Sequence, residues 1–420
     1  MSYETLALER KTETMYADCC IVGGGPAGAV LSLLLARQGV SVMLFEAQKD
    51  FERDFRGDSL HAVVMELMDE LDLTERLLKY KHTKLRTLTI VSAAGPTPVA
   101  EFGRLKTRHP YITLLPQTDF LNFITAEAKH YPNFQLFMGA SVQKLIEEDG
   151  VIRGVGFHGS NGWQEVRCSL TIGTDGRSSR MRRLAKFEPI KASQPVDVLW
   201  FRLPRYPNES EGVLLRVGKG LIIGQADRTD YWQLSLYIPK GTYQQLRAKG
   251  LDSLRQTLVQ LMPELADRVD LLKNWSQASL LSVESSYVPR WYRPGLLLLG
   301  DAAHAMSPFG GVGISYAIQD AIVAANVLAK PLKAGSVRVG HLATIQRKRE
   351  LPTRISQMYQ AMIQNQLLAT AANDGQPPHP NLVQRLLNLP FVRDMPTRLL
   401  AFGLWPARLE AGLQEPSAYN

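Results

Sequence analysis

Three cysteines among 420 residues leave little scope for covalent reinforcement. Cys19 and Cys20 sit together in an apolar run and read as small buried hydrophobes, while Cys168 stands alone. No disulfide framework or CxxC metal site can be written from them, so no metal is expected and a reducing cytoplasm suits the chain. Also missing is any block of five or six consecutive basic residues, although the net charge is +8. That balance suits phosphate-bearing ligands or an acidic membrane surface; with no RNA- or DNA-binding motif beside it, nucleic acid is not an expected partner. No uninterrupted apolar stretch reaches the roughly 20 residues that a spanning helix needs. The opening MSYETLALERKTET is polar and mixed in charge, unlike a secretory signal. The expectation is a cytoplasmic protein that at most lies on a membrane. No internal repeat is visible.

What is present is an ordinary globular composition, 45% hydrophobic and 21% charged, in a chain long enough for two domains. DCCIVGGGPAG is an apolar run ending in glycines; AVLSLLLARQG then has helical length, and VSVMLFEA is a second apolar run ending in an acid. Together they predict strand, tight turn, helix and parallel strand, with a right-handed crossover. Val, Leu and Ile without strict alternation predict strands covered on both faces. Residues 59–80 have helical periodicity, 85–102 turn to β character, TDFLNFITAEAKHY is helical, and 134–174 read as strands with hairpin signals near Gly150 and Gly159. A long β-rich block covers about 196–240, and beyond 341 the chain is mostly helical, interrupted at Pro352, at QPPHP (376–380), at Pro390 and at Pro396.

Gly23-Gly24-Gly25-Pro26-Ala27-Gly28 fits GxGxxG after a strand and before a helix. Gly23 permits the turn, Gly25 lets a pyrophosphate meet the backbone, and Gly28 allows close helix–strand packing. The helix N-terminus supplies free N–H groups and a partial positive charge. Glu46, 18 residues beyond Gly28, ends the second strand, where an acid accepts from ribose hydroxyls. Two later motifs complete the pattern: LTIGTDGRSSRMRRLA, with Asp175 after a short strand, and LLLLGDAAHAMSPFGGVGIS, with Asp301, Pro308 and glycines before a helix.

GGGPAG, then DG, then GDAAH…P…G, in this order over about residues 17–350, resembles the FAD-dependent monooxygenases of the aromatic-hydroxylase type, with the p-hydroxybenzoate hydroxylase fold. The resemblance implies an α/β protein: a Rossmann-like FAD-binding domain from residues 15–84, 107–190 and 284–340, and a second, mixed or antiparallel β-sheet substrate domain from 85–106 and 191–283. A helical C-terminal region (341–420) and a flexible N-terminal tail (1–14) complete the expectation. The implied cofactor is FAD, with NAD(P)H as transient reductant. O2 would form a flavin C4a-hydroperoxide that hydroxylates or epoxidises an aromatic, phenolic or quinol-type small molecule.

By the same resemblance, Gly23, Gly25, Pro26, Ala27 and Gly28 hold the FAD diphosphate, and Glu46 the adenosine ribose. Arg56 and Gln117 touch the cofactor, the Val142 backbone meets the adenine, and Asp175 lies near flavin and nicotinamide. Asp301 bonds the ribityl chain, Pro308 borders the ring, and Gly311, Val312, Gly313 and Ile314 present backbone N–H groups to the flavin N1–C2=O edge. There the positive end of a helix starting near Gly313 favours the anionic reduced flavin. The chain departs from the family at Val312, often Gln, and at Ile314-Ser315, often Met-Asn; the backbone contacts survive these changes.

No catalytic base is assigned. His61, Trp232, Tyr237 and Pro308 are the candidates, and Trp200, Trp232 and Tyr237 fall on strands of the second sheet, where an aromatic-lined pocket suits a flat apolar substrate. Arg177, Arg180, Arg182 and Arg183 read either as a solvated helix face or as attractors of NAD(P)H phosphates. His304 reads as structural. The tail NLVQRLLNLPFVRDMPTRLLAFGLWPARLE, with Arg385, Arg393, Arg398 and Arg408, reads as packing on the enzyme body or as a peripheral membrane contact. A prenyl reductase and a flavin halogenase share the scaffold, though YWQLSLYIP lacks the halogenase WxWxIP. A non-catalytic Rab-escort-like protein is disfavoured by the intact Asp301 and Pro308 motif.

Overall fold

Cys19, Cys20, Ile21 and Val22 are buried in succession, as they must be in a strand covered on both faces. The computed structural model describes residues 14–52, 58–209, 212–376 and 394–415. Residues 1–13 of the expected tail, and Arg56, lie outside them. Strand β1 (Thr14–Val22) runs parallel to β2 (Val42–Glu46), joined by helix α1 (Pro26–Arg37). The first sheet continues in the order Tyr292–Arg293, Leu296–Leu298, Gly162–Gly173, β1, β2, Phe134–Met138, with the strands Val151–Gly159 and Ser141–Glu148 added antiparallel beside Gly162–Gly173. Every residue of α1 from Ala27 to Arg37 is buried, because the helix is wedged between the sheet, the helix Gln117–Ala128 and the helix Gly313–Lys333.

The second sheet has seven strands in the order Ser279–Leu281, Val196–Pro204, Tyr231–Pro239, Leu221–Asp227, Val213–Gly218, Thr87–Ser92, Gly95–Glu101. It is mixed: Val213–Gly218 pairs parallel to Thr87–Ser92 and the other pairs are antiparallel. Period-two alternation gives it two different faces. Leu199, Phe201, Leu234 and Leu236 pack with Leu254 and Leu258 of the helix Leu251–Leu261. Val198, Trp200, Ile222 and Tyr237 turn the other way, onto Phe309 and the C-terminal part of the helix Val339–Ala372.

Three elements differ from the sequence expectation. Residues 59–80 form a strand (Ser59–Leu60) and two helices (Ala62–Glu70, Thr74–Leu77), because the chain turns at Asp72, whose φ is 57°. Val339–Ala372 runs unbroken through Pro352; the buried proline loses one backbone bond, and packing along the helix offsets it. Phe309–Lys333 has the length and mean hydropathy of a membrane-crossing helix, but 78% of its apolar window is buried inside the protein. It is a core helix.

Candidate flavin and substrate site

The glycine turn after β1 is shaped by contacts on one side and open space on the other. Gly23 has φ +107°, and a Cβ there would stand 2.6 Å from the Thr174 carbonyl carbon. At Gly28 a Cβ would meet the Gly23 carbonyl oxygen at 2.0 Å, so this glycine seats α1 against the turn; it does not line the cavity. Gly25 has nothing within 4 Å of its Cβ position. It is the N-cap of α1, has no side chain to satisfy the first-turn N–H groups, and is followed by Pro26 at the first helical position. This leaves an anion site facing open space. At the end of β2, Glu46 accepts from the Gly24 N–H at 2.9 Å and from the Gln48 N–H at 3.0 Å, which fixes its carboxylate at the mouth of the turn.

Beyond the turn the cavity passes Gln117, Val142 and Asp175. Gln117 opens its helix and Val142 is the second residue of the strand Ser141–Glu148. The Asp175 carboxylate accepts from the Arg180 and Met181 N–H groups at 2.6 and 2.9 Å, so it caps the helix Arg180–Leu184. The arginines here divide: Arg180 and Arg183 are exposed, as a solvated helix face requires, while Arg177 and Arg182 make contacts that neither reading anticipated. Arg182 is buried and donates to the Ala302 carbonyl at 3.0 Å, tying the Asp175 turn to the Asp301 turn. Arg180 donates to the Val142 carbonyl at 3.3 Å, and Arg177 Nε donates to Asp301 at 3.2 Å. Arg177, two residues after Asp175, lines the cavity and pairs with Asp301, a contact that neither a solvated helix face nor a nicotinamide-phosphate site had suggested.

The third motif builds the far end. After the strand Leu296–Leu298 the chain enters a 3-10 turn, Gly300–Ala302, which carries Asp301 into the cavity. Beneath it lies a buried charge network. Asp320 accepts from the Gly300 N–H at 3.0 Å, from His304 Nε2 at 2.6 Å and from Arg349 Nε at 2.8 Å. Burial alone would raise the Asp320 carboxyl; the opposing charges of His304 and Arg349 more than reverse this, so it sits below its ordinary value.

Pro308, Gly311, Gly313 and Ile314 line the cavity. Gly310 and Gly311 have φ of +79° and +63°, and a Cβ at Gly311 would lie 3.1 Å from Ser59 Oγ. The backbone turn therefore requires these two glycines, whereas Gly313, with open space at its Cβ position, leaves the start of the helix Gly313–Lys333 uncovered. Val312 does not line the cavity: its side chain packs on Met306 and Tyr316. His61 is also set back from the cavity. It is fully buried behind Gly311, with Nε2 3.2 Å from the Gly311 carbonyl oxygen. Burial lowers its pKa to about 4, so the ring is neutral at neutral pH and its Nε2–H donates to that carbonyl.

One cavity of about 940 Å³ connects these parts with the second sheet. Tyr237 and Trp200 lie on its wall, and the Tyr237 ring packs on Phe309 with centroids 4.7 Å apart. Trp232 corrects the expectation: one residue out of phase, it faces the opposite side of the sheet, where Nε1 donates to Glu209 at 2.7 Å. Asp58 and Arg228, which the sequence reading missed, meet on the cavity wall at 2.5 Å. In the tail, Leu400 of the helix Met395–Phe402 closes part of the wall.

Residues 16–358 match the family model described as an FAD binding domain. A 6-methylpretetramide 4-monooxygenase from Streptomyces rimosus is 33% identical over 84% of this chain and 85% of its own. The chain belongs to this FAD-binding family of monooxygenases. A rifampicin monooxygenase from Streptomyces venezuelae is 27% identical over 88% of this flavoprotein and 74% of its own length. Among solved structures, the p-nitrophenol 4-monooxygenase of Pseudomonas putida shares the fold with a TM-score of 0.72 at 20% identity, covering 92% of this chain and 95% of that one.

The residues present fit the FAD that the family binds. The uncapped, unobstructed N-terminus of α1 suits a diphosphate, the fixed Glu46 carboxylate suits a ribose, and the uncovered helix start at Gly313 suits the electron-rich edge of a flavin. This flavoprotein is an FAD-dependent monooxygenase that takes its electrons from NAD(P)H.

Proposed function

We propose that this monooxygenase hydroxylates a polycyclic phenol. The observation that carries the reading is the continuity of one cavity from the glycine turn to the apolar face of the second sheet, where Trp200, Tyr237 and Phe309 offer flat aromatic surfaces. A 33%-identical relative that acts on 6-methylpretetramide supports a fused-ring substrate of this kind.

In this reading the backbone of Gly25, Pro26 and Ala27, with N–H groups at Gly25 and Ala27, flanks the diphosphate without a steric barrier, and Glu46 accepts from the adenosine ribose. Gln117 and the Val142 backbone border the cofactor, and Arg56 retains the contact its motif implies. Asp301, oriented by Arg177, takes the ribityl hydroxyls, while Pro308, Gly311, Gly313 and Ile314 frame the isoalloxazine ring. Gly28 and Val312 act from behind, one seating α1 and the other anchoring the helix start. Asp175 acts as a cap that holds the Arg177–Arg180 turn in place. FAD, when bound, supplies the redox chemistry, passing electrons from NAD(P)H to O2. The protein orients the substrate plane, places the positive helix end beside the developing charge and keeps water away from it. Because Leu400 belongs to the cavity wall, packing on the enzyme body accounts for the described part of the tail better than membrane contact does.

Purified protein should be yellow and release FAD on denaturation. A polycyclic phenol should stimulate NAD(P)H oxidation with matching O2 uptake. A colourless protein that takes up no FAD, or oxidation with no response to any such phenol, defeats the reading.

A further inference from the structure

The long helix Val339–Ala372 is built inside out over its middle turns. Between residues 346 and 364 its buried side carries Gln346, Arg349, Thr353, Ser356, Gln360 and Gln364, with Pro352 the one apolar member. These side chains hold the loops beneath: Gln346 accepts from the Trp291 N–H at 2.9 Å, and Gln360 donates to the Ser307 and Phe309 carbonyls at 2.9 and 2.7 Å. What the helix shows to solvent is apolar. Leu351, Met358 and Met362 are 54%, 72% and 57% exposed, and no charged residue occurs from Ile355 to Asn373. A surface helix ordinarily carries charged and polar residues on that side; an exposed apolar stripe marks a contact.

The stripe has a period. Leu351, Ile355, Met358, Met362, Asn365 and Ala369 follow one another at alternating intervals of four and three residues, the spacing of a coiled-coil seam. Ile355 is half-buried and the other five are exposed. At the rise of an α-helix the seam runs about 27 Å.

We propose that this seam pairs with the same seam of a second copy, antiparallel, about a two-fold axis between Met358 and Met362. That register sets Met358 against Met362 and Leu351 against the small Ala369, so bulky side chains meet small or adaptable ones. Asn365, the one polar member, stands opposite Ile355, where an amide specifies register at some cost in stability. The charges agree as well. Arg347, exposed on the same side, comes opposite Asn373 and Asp374 of the second copy, at the negative end of its helix. A parallel pairing would bring Arg347 onto Arg347 and Arg354 onto Arg354. A lipid surface calls for cations along the whole face, whereas here they stand at one end only, at Arg347, Lys348 and Arg354. One helix pair lies at the low end of specific interfaces, about 1,200 Å² in total, so the dimer is reversible and concentration-dependent.

Sedimentation velocity of the FAD-loaded enzyme, run over a range of concentrations, should show monomer passing to dimer. Met358→Glu and Met362→Lys, each at a position more than half exposed, should keep the FAD content and melting temperature of wild type. Each alone should weaken self-association about tenfold or more, because it buries an unpaired charge. Mixed together, the two variants should associate again, since opposite charges then meet across the axis, as only the antiparallel register allows. Met395→Glu, at a methionine 61% exposed but off the stripe, should leave the dimer unchanged. A wild type that stays monomeric at every concentration overturns the proposal, as does a dimer that survives both stripe variants, one that Met395→Glu disrupts equally, or no association on mixing. A variant that loses FAD or melts early assigns the stripe to the fold and overturns it too. So does a monomeric wild type that binds phosphatidylglycerol vesicles and loses that binding with Met358→Glu, which would give the face to lipid.

Discussion

Gly25 and Gly28 are one turn apart and should fail differently when substituted. Gly25→Ala places a methyl group in open space at an ordinary φ of −69°, so the melting temperature of the apoprotein should stay within the change that about 0.5 kcal/mol produces. The same methyl stands where a diphosphate must approach, and FAD affinity should fall about tenfold or more, about 1.4 kcal/mol, by flavin fluorescence titration. Gly28→Ala instead drives a methyl to 2.0 Å from a carbonyl oxygen and should cost about 3 kcal/mol of stability in denaturant unfolding. Asp301→Ala removes the partner of Arg177 and the proposed ribityl acceptor; FAD affinity should drop by about 1.5–3 kcal/mol, and unchanged flavin content would refute its role. His61 carries a pH signature. Its pKa falls from 6.5 to about 4 on folding, so between these values the unfolded chain binds more protons. Stability is therefore complete above about pH 6.5 and declines as pH falls toward 4, by about 3 kcal/mol at most. His61→Gln should flatten that slope in melting curves taken across this window.

At the scale of elements, the helix Gly313–Lys333 joins the core to the site. Its Asp320 is fully buried and holds His304 from the turn after Leu296–Leu298 and Arg349 from the helix Val339–Ala372. Asp320→Asn leaves the arginine without its charge partner and should cost about 3–5 kcal/mol. A melting temperature unchanged from wild type would remove the network from any account of stability. Element types were largely readable: β1, α1, β2 and the helix at Gly313 follow from apolar run length and glycine placement. Where the reading went astray, a local signal was overridden. Pro352 reads as a break, but it lies in a helix long and well packed enough to carry it, and only the structure reveals the left-handed turn at Asp72 inside a helical period.

Across the whole molecule, the cavity exists because three distant segments of chain close one sheet and the insertions between them form another. The Tyr237–Phe309 contact is where the two meet. Phe309→Ala should leave FAD content intact yet loosen the seal between ring loop and substrate sheet, raising the H2O2 formed per NAD(P)H oxidised several-fold over wild type. An unchanged ratio would place the seal elsewhere.

The sequence by itself determined which cofactor this protein takes. A diphosphate-binding turn must have glycines, a helix start and an acid at set spacings, and backbone geometry of that kind leaves a signature within one short stretch. The substrate end was decided by tertiary structure alone. Whether Trp200 or Trp232 faces the cavity depends on strand phase, and the meeting of Asp58 with Arg228 across 170 residues depends on how the second sheet packs against the chain before Ser59–Leu60. Such contacts join residues that no local spacing relates, so only the folded chain brings them to one wall.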